Sequence, residues 1–257
     1  MARYVFITGT GRTATTYLSK YFQANVPGCL SVHEPSRKIK LCSNRFVAGR
    51  ASEAKMRRVL TAWRRKVDRQ MTAAGAEVFF QVDPWVYGFT GLLADVFDAP
   101  YVVHLVRHPY TYVSSHLNRI YRDAWISFVK RRLIPYWLLR GDQAGDYTRS
   151  QWRKLAHEQQ MAWYWVKCNG FIDASAGRLS RFLRVRFEDL FDAEARGLEQ
   201  MLDFCGIEAI PPQQRKDDID RNAAAMKFAG VADWPEPLRR DVLETCRPLM
   251  QKYGYQE

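Results

Sequence analysis

Thr8-Gly9-Thr10-Gly11-Arg12-Thr13-Ala14-Thr15-Thr16, or TGTGRTATT, follows directly on Tyr4-Val5-Phe6-Ile7. The four residues before it are β-branched or aromatic, in a run too short for a helix, and they predict a buried strand. Gly9 and Gly11 then allow backbone angles that other residues avoid. Beyond the turn, Tyr17, Leu18, Tyr21 and Phe22 fall at i, i+1, i+4 and i+5, one face of a helix. Thr13 is in position to cap that helix. The unit is therefore strand, glycine turn, helix start. Such a turn gathers backbone N–H groups and the positive end of a helix dipole at one point, which suits an anion and phosphate above all.

Several functions use such a turn. In a Walker-type loop counted from Gly9, the second glycine falls on Ala14 and the lysine on Thr15, so no lysine is present to reach a γ-phosphate. A dinucleotide fingerprint, G-x-G-x-x-A, does fit Gly9, Gly11 and Ala14, with Glu34 as the acidic residue further on. In a phosphosulfate-binding loop, a basic residue within the turn neutralises the ligand, a role that suits Arg12. An ordinary βα turn without a ligand is the plain alternative.

The 257 residues suffice for one large α/β domain spanning 1–257, with no repeat, low-complexity tract or Pro/Gly/Ser linker. No run of 18 apolar residues signals a membrane span, and no secretory leader follows Met1. Five scattered cysteines without a C-x-x-C pair point to reduced thiols and a cytoplasmic location. No His/Cys spacing predicts a metal site. The net charge of +12 favours anionic ligands. The charge is concentrated at Arg57-Arg58, Arg64-Arg65-Lys66 and Lys130-Arg131-Arg132. The first two clusters read as a solvated helix face. Residues 128–140 mix basic side chains with Tyr136, Trp137 and leucines, which suits a membrane-surface contact or a lid over a pocket. No helix-turn-helix, zinc-finger or RNA-recognition signature suggests nucleic acid.

A second strand–turn–helix follows. Tyr101–Val106 reads as a strand, Arg107 stands at its end, Pro109 fits the first turn of a helix, and Ser115 lies about two turns in. Arginine and serine so placed can converge on one phosphate. Val78–Val82, ending at Asp83, and Phe182–Phe187 add two more strands. Trp152–Lys167 and Leu238–Tyr255 read as helices, with Trp163-Tyr164-Trp165 in the core. Alternating strands and helices predict an α/β fold with a mostly parallel central sheet flanked by helices. Ligands of such sheets bind beyond the carboxyl ends of the strands, so both turns should face one crevice.

With both turns in view, the chain resembles the sulfotransferases that use 3′-phosphoadenosine 5′-phosphosulfate (PAPS), in particular the branch with arginine in the loop, of bacterial and carbohydrate type. GTGRTATT is similar to their first loop, VRHPYTYVSS to their V-R-[DN]-P-x-x-x-x-x-S element, RVRFEDL to their R-[YF]-E-D-L and KYGY to their ending. The resemblance runs over nearly the whole chain. It implies a P-loop-like sulfotransferase fold and transfer of a sulfonate group from PAPS to an acceptor hydroxyl. Gly11, Arg12, Thr13, Ala14, Thr15 and Thr16 would then hold the 5′-phosphosulfate, Arg107 and Ser115 the 3′-phosphate, and Phe187 would lie near the adenine. The chain departs from the family at three points. Ala14 replaces the usual loop glycine, Arg12 replaces the lysine of the cytosolic small-molecule branch, and Arg215-Lys216 is followed by Asp217 rather than glycine. A short-chain reductase would need Y-x-x-x-K, and no tyrosine has lysine four residues later.

A base must take the acceptor proton. In the arginine-bearing branch it is a glutamate some twenty residues past the loop, which implies Glu34, in the context HEPSR. His33 is the second choice and Asp83 the third. The acceptor itself is not legible. The charge suits a glycan or glycolipid bound by the stretches 38–75 and 121–150. The alternatives are an NAD(P)-dependent oxidoreductase built on GTGRTA and Glu34, or a nucleotide-binding module without catalysis.

Overall fold

A computed structural model describes residues 2–122, 134–192, 194–208 and 231–256, with the side chains of 120–122 left aside. Lys130-Arg131-Arg132 and Arg215-Lys216, singled out above, lie outside the described residues. Five strands form one parallel sheet: β1 (Arg3–Gly9), β2 (Cys29–His33), β3 (Val78–Val82), β4 (Tyr101–Val106) and β5 (Phe182–Arg186). Their order is β2-β3-β1-β4-β5. The strands predicted from sequence are all present.

The helices cover both faces, so the inner strands are buried on both sides and read as continuous apolar runs. On β1, Val5 and Ile7 point to one face and Tyr4 and Phe6 to the other. The first face packs on α1 (Thr15–Asn25) and on the helix Arg196–Cys205, with Phe22 stacked on Phe80 at 4.1 Å. The second face packs on α3 (Glu53–Ala74) through Met56, Leu60, Trp63, Val67 and Met71, and on 3₁₀ turns over Pro84–Asp95. Between α1 and α3 lies α2 (Arg37–Val47). Beyond β4 come α4 (Pro109–Arg122), α5 (Gly141–Ala144), α6 (Arg149–Lys154) and α7 (His157–Ala176). The helix Arg196–Cys205 is α8, and α9 (Glu236–Lys252) closes the described fold against α7.

Two expectations need correction. The stretch 152–167 is not one helix, because Leu155 and Ala156 take extended angles and separate α6 from α7. Gln151 and Gln159 each fold back to the backbone N–H three residues earlier, so both starts are capped. Nor is Thr13 the cap of α1. Ala14 occupies that position in a left-handed conformation, and no side chain caps the helix. The remaining assignments hold in the core: Trp163, Tyr164 and Trp165 are buried. Cys168, Cys205 and Cys246 are buried, whereas Cys29 and Cys42 are half-buried, and all five are free thiols.

Two buried ionisable groups pull stability in opposite directions with pH. His104, in mid-β4, is fully buried and bonds Asn169 at 2.8 Å. Burial pushes its pKa down from 6.5 to about 4. Its contribution is therefore present above pH 6.5 and lost as pH falls through 4, since the unfolded chain binds the proton first. Asp83, at the end of β3, is also fully buried, and burial raises its pKa from 3.8 to about 7. Its contribution is present below 3.8 and lost as pH rises through 7. The two slopes nearly cancel between pH 4 and 6.5. Asp83→Asn leaves only the His104 slope, so chemical denaturation of that variant should show stability climbing with pH across this window, by up to about 3 kcal/mol. A flat profile in the variant would mean that His104 does not hold its lowered pKa, and a wild-type profile that already climbs would mean that Asp83 is ionised in the folded protein.

Candidate active site

The chain leaves β1 toward β2 and leaves β4 toward β5, so the C-terminal ends of these adjacent strands open on a topological switch point, where α/β sheets bind ligands. The glycine turn sits there. Gly9 is forced to be glycine: a Cβ would stand 2.3 Å from the Leu105 carbonyl oxygen of the neighbouring strand. Gly11, Arg12 and Ala14 then take φ of 80°, 57° and 60°. Left-handed angles in close succession curl the chain into a concave turn, a shape that suits an anion. For Ala14 this angle is strained, which is the physical reason a glycine serves better at that position. Ala14→Gly is expected to leave stability unchanged or raise it by up to about 1 kcal/mol, since relief of strain competes with added freedom in the unfolded chain. A clear loss in denaturant unfolding would show that the Ala14 methyl, packed at the edge of the α1 face, matters more than the angle.

The two sequence motifs meet directly. Arg12 Nε donates to Ser115 Oγ at 3.1 Å. Arg107 Nη1 donates to the Arg12 carbonyl at 2.7 Å, and its Nε donates to Thr111 Oγ1 at 3.1 Å. The Arg107 guanidinium lies 4.2 Å from the centroid of the Phe187 ring. Burial lowers the Arg107 pKa. It has no carboxylate at ion-pair distance among the described residues, so an anion would offset the cost of holding its charge there. Ser115 and Thr15 are buried, Gly11, Arg12 and Ala14 are half-buried, and Thr16 is exposed. Thr13 Oγ1 is buried without a hydrogen-bond partner. An orphaned hydroxyl beside a concave turn, a helix start and two arginines fits a phosphate or phosphosulfate group.

The other two motifs act from behind. Glu188, of RFEDL, accepts from the His108 N–H at the start of α4 (3.0 Å) and from the Tyr255 hydroxyl of KYGY (2.7 Å). Trp165 Nε1 donates to the Arg107 carbonyl at 2.9 Å. These bonds fix the strand-to-helix turn that presents Arg107. Phe187 serves as a platform for Arg107, and its ring also meets Phe191 edge-on at 5.2 Å.

The three carboxylate and imidazole candidates differ in setting. Glu34 follows β2 in a strained backbone with φ of 43° and is exposed. Its Oε1 is 3.8 Å from His33 Nε2. His33 bridges two elements: Nδ1 bonds the Val82 carbonyl at 2.8 Å and Nε2 bonds Thr16 Oγ1 at 3.0 Å. Asp83 is 0 % exposed and accepts from the Trp85 N–H (2.8 Å) and from Gln81 Nε2 (3.2 Å). It holds the chain rather than facing the crevice. Sequence reasoning missed Lys40. Only 8 % exposed, its ammonium lies 3.7 Å from the Trp85 ring centroid and 3.9 Å from that of Trp137. No local pattern marks such a lysine, because its partners come from distant segments.

The sheet order also bears on the dinucleotide alternative. In that fold the acidic residue ends the strand beside β1. Here β3 lies between β1 and β2, which sets Glu34 one strand further from the glycine turn. Among the described residues no group of His, Cys, Asp or Glu is arranged to hold a metal ion, and no helix is long and apolar enough to cross a membrane.

A comparison with curated protein sequences finds no match. Among solved structures, the sulfotransferase domain from the curacin biosynthetic pathway is similar, with 14% identity and a TM-score of 0.59 over 100% of this chain and 99% of that one. A sulfotransferase from Alicyclobacillus acidocaldarius is similar at 12% identity and a TM-score of 0.54, over 100% and 98% of the two chains. At this identity the likeness shows a shared fold. Residues 4–212 match the pattern described as "Sulfotransferase family". With four-fifths of its length covered by that match, the chain belongs to the sulfotransferase family.

Proposed function

We propose that this protein transfers a sulfonate group from PAPS to the hydroxyl of an acceptor that is a carbohydrate or is lipid-linked. The observation that carries this reading is the hydrogen bonding of Arg12, Ser115 and Arg107 into one cluster at the ends of β1 and β4. It joins the residues that the family resemblance gives to the 5′-phosphosulfate with those it gives to the 3′-phosphate.

Bound there, PAPS would supply an activated sulfonyl group. Gly11, Arg12, Thr13, Ala14, Thr15 and Thr16 surround its 5′ end in this reading, and Arg107 and Ser115 its 3′-phosphate. Glu34 takes the proton of the acceptor hydroxyl as the acceptor oxygen bonds to sulfur. Arg12 and the start of α1 hold the negative charge released on the phosphate oxygen as its bond to sulfur breaks. His33 fixes Thr16 against β3, which keeps the helix start aimed at that charge.

Calorimetric titration with adenosine 3′,5′-bisphosphate, beside NAD, NADP and ATP, tests the donor. Binding of the bisphosphate alone is the expected result. Binding of NAD or NADP in its place would overturn the reading.

A further inference from the structure

Between residue 134 and α7 lies a cavity of about 400 Å³, a size suited to one small molecule. Its apolar walls include Trp137, Trp152 and Met161. The rings are fixed from behind: Trp152 meets Trp163 edge-on at 5.1 Å, and Trp137 lies against the Lys40 ammonium. Two flat indoles and a thioether suit a ring better than a flexible chain.

Its polar groups divide into spent and unspent. Arg140 is committed to Asp142 through bonds of 2.9 and 2.6 Å, and Gln160 donates to the carbonyls of Trp152 and Leu155. Gln143 Oε1 is different: it is buried and has no donor. A hydroxyl or N–H from a ligand would satisfy it. Arg153 is exposed and makes no ion pair, and no Asp or Glu lines the cavity, among the described residues. The unspent charge is positive.

A chain of packed side chains also links the cavity wall to the crevice. Trp137 touches Lys40, Lys40 touches Trp85, and the Trp85 N–H is held by Asp83. The next residue after Asp83, Pro84, faces Gly11: a Cβ on Gly11 would lie 3.6 Å from the Pro84 ring.

We propose that this cavity is the acceptor subsite, and that it takes a ring-bearing alcohol carrying a carboxylate or similar anionic group. The ring lies between the indoles, a donor on the ring meets Gln143 Oε1, and the anion faces Arg153. This rests on the sulfonate-transfer reading for its role, though not for binding itself.

Calorimetry with two matched pairs tests it: 6-hydroxy-2-naphthoate against 2-naphthol, and 4-nitrophenyl glucuronide against 4-nitrophenyl glucoside, each with and without saturating adenosine 3′,5′-bisphosphate. In at least one pair the acid should bind about tenfold or more tighter, as a charge-assisted contact implies. Success with the second pair identifies an acidic sugar, whereas success with the first pair alone identifies an aryl acceptor in place of a carbohydrate or lipid-linked one. Arg153→Gln should erase the preference. Gln143→Leu should weaken both members of that pair without lowering the melting temperature, since it removes an orphaned acceptor. Equal affinities within both pairs, no binding, a preference that survives Arg153→Gln, or displacement of the probe by the bisphosphate would each overturn the proposal. Probes that bind while the bisphosphate does not would overturn the donor reading and leave the cavity an acid-binding site.

Discussion

Arg107→Ala should weaken binding of adenosine 3′,5′-bisphosphate by about 10²-fold, because charge-assisted hydrogen bonds to a phosphate are each worth about 1.5–3 kcal/mol. Arg107→Lys should recover little of this. The guanidinium does three things at once: it donates to the Arg12 carbonyl, donates to Thr111 and lies over Phe187. A single ammonium on a flexible stem cannot reproduce that planar arrangement. Ser115→Ala should cost less, about tenfold, because a neutral hydroxyl makes the weaker bond. Calorimetry on the three variants, with melting temperatures as a check on folding, measures the ranking. Near-normal affinity in Arg107→Ala would remove it from the nucleotide site and leave it a brace for the glycine turn.

The contrast between Arg107 and Lys40 shows where sequence reasoning succeeds. The placement of Arg107 was legible because it is set locally: a β-branched strand, a charged residue at its end, and a proline that starts the next helix. The same logic placed Gly9, Gly11 and Arg12 in the turn between β1 and α1. It also predicted four strands from short apolar runs, and the parallel sheet from their alternation with helices. Lys40 was not legible, because Trp85 and Trp137 reach it from segments far away in the chain. The same holds for Tyr255 and Glu188, whose hydrogen bond ties two motifs that the sequence offered only as separate resemblances. Thr13 failed for a subtler reason. Composition suggested a cap, but the left-handed angle at Ala14 moves the helix start one residue on and leaves the Thr13 hydroxyl buried without a partner. That departure from the local rule falls at the site itself, where a ligand group would satisfy the hydroxyl.

Glu34→Gln is expected to lower turnover by about 10² or more with a sulfonate acceptor while leaving bisphosphate affinity within about twofold, as loss of a general base would. The geometry favours Glu34 over its two rivals. Asp83 is enclosed, with its oxygens taken up by Trp85 and Gln81, so it has no route to an acceptor proton. His33 is bonded at both ring nitrogens, to Val82 and to Thr16. Glu34 is exposed at the crevice end of β2 and held there by a backbone angle that glutamate rarely adopts, the kind of strain that persists where the surrounding structure imposes it. The three variants therefore separate. Glu34→Gln should change turnover alone. Asp83→Asn should change the pH dependence of stability. His33→Ala, by freeing Thr16, should weaken the donor site and slow turnover together. Full turnover in Glu34→Gln, paired with a large loss in His33→Ala and intact bisphosphate binding, would transfer the base to His33.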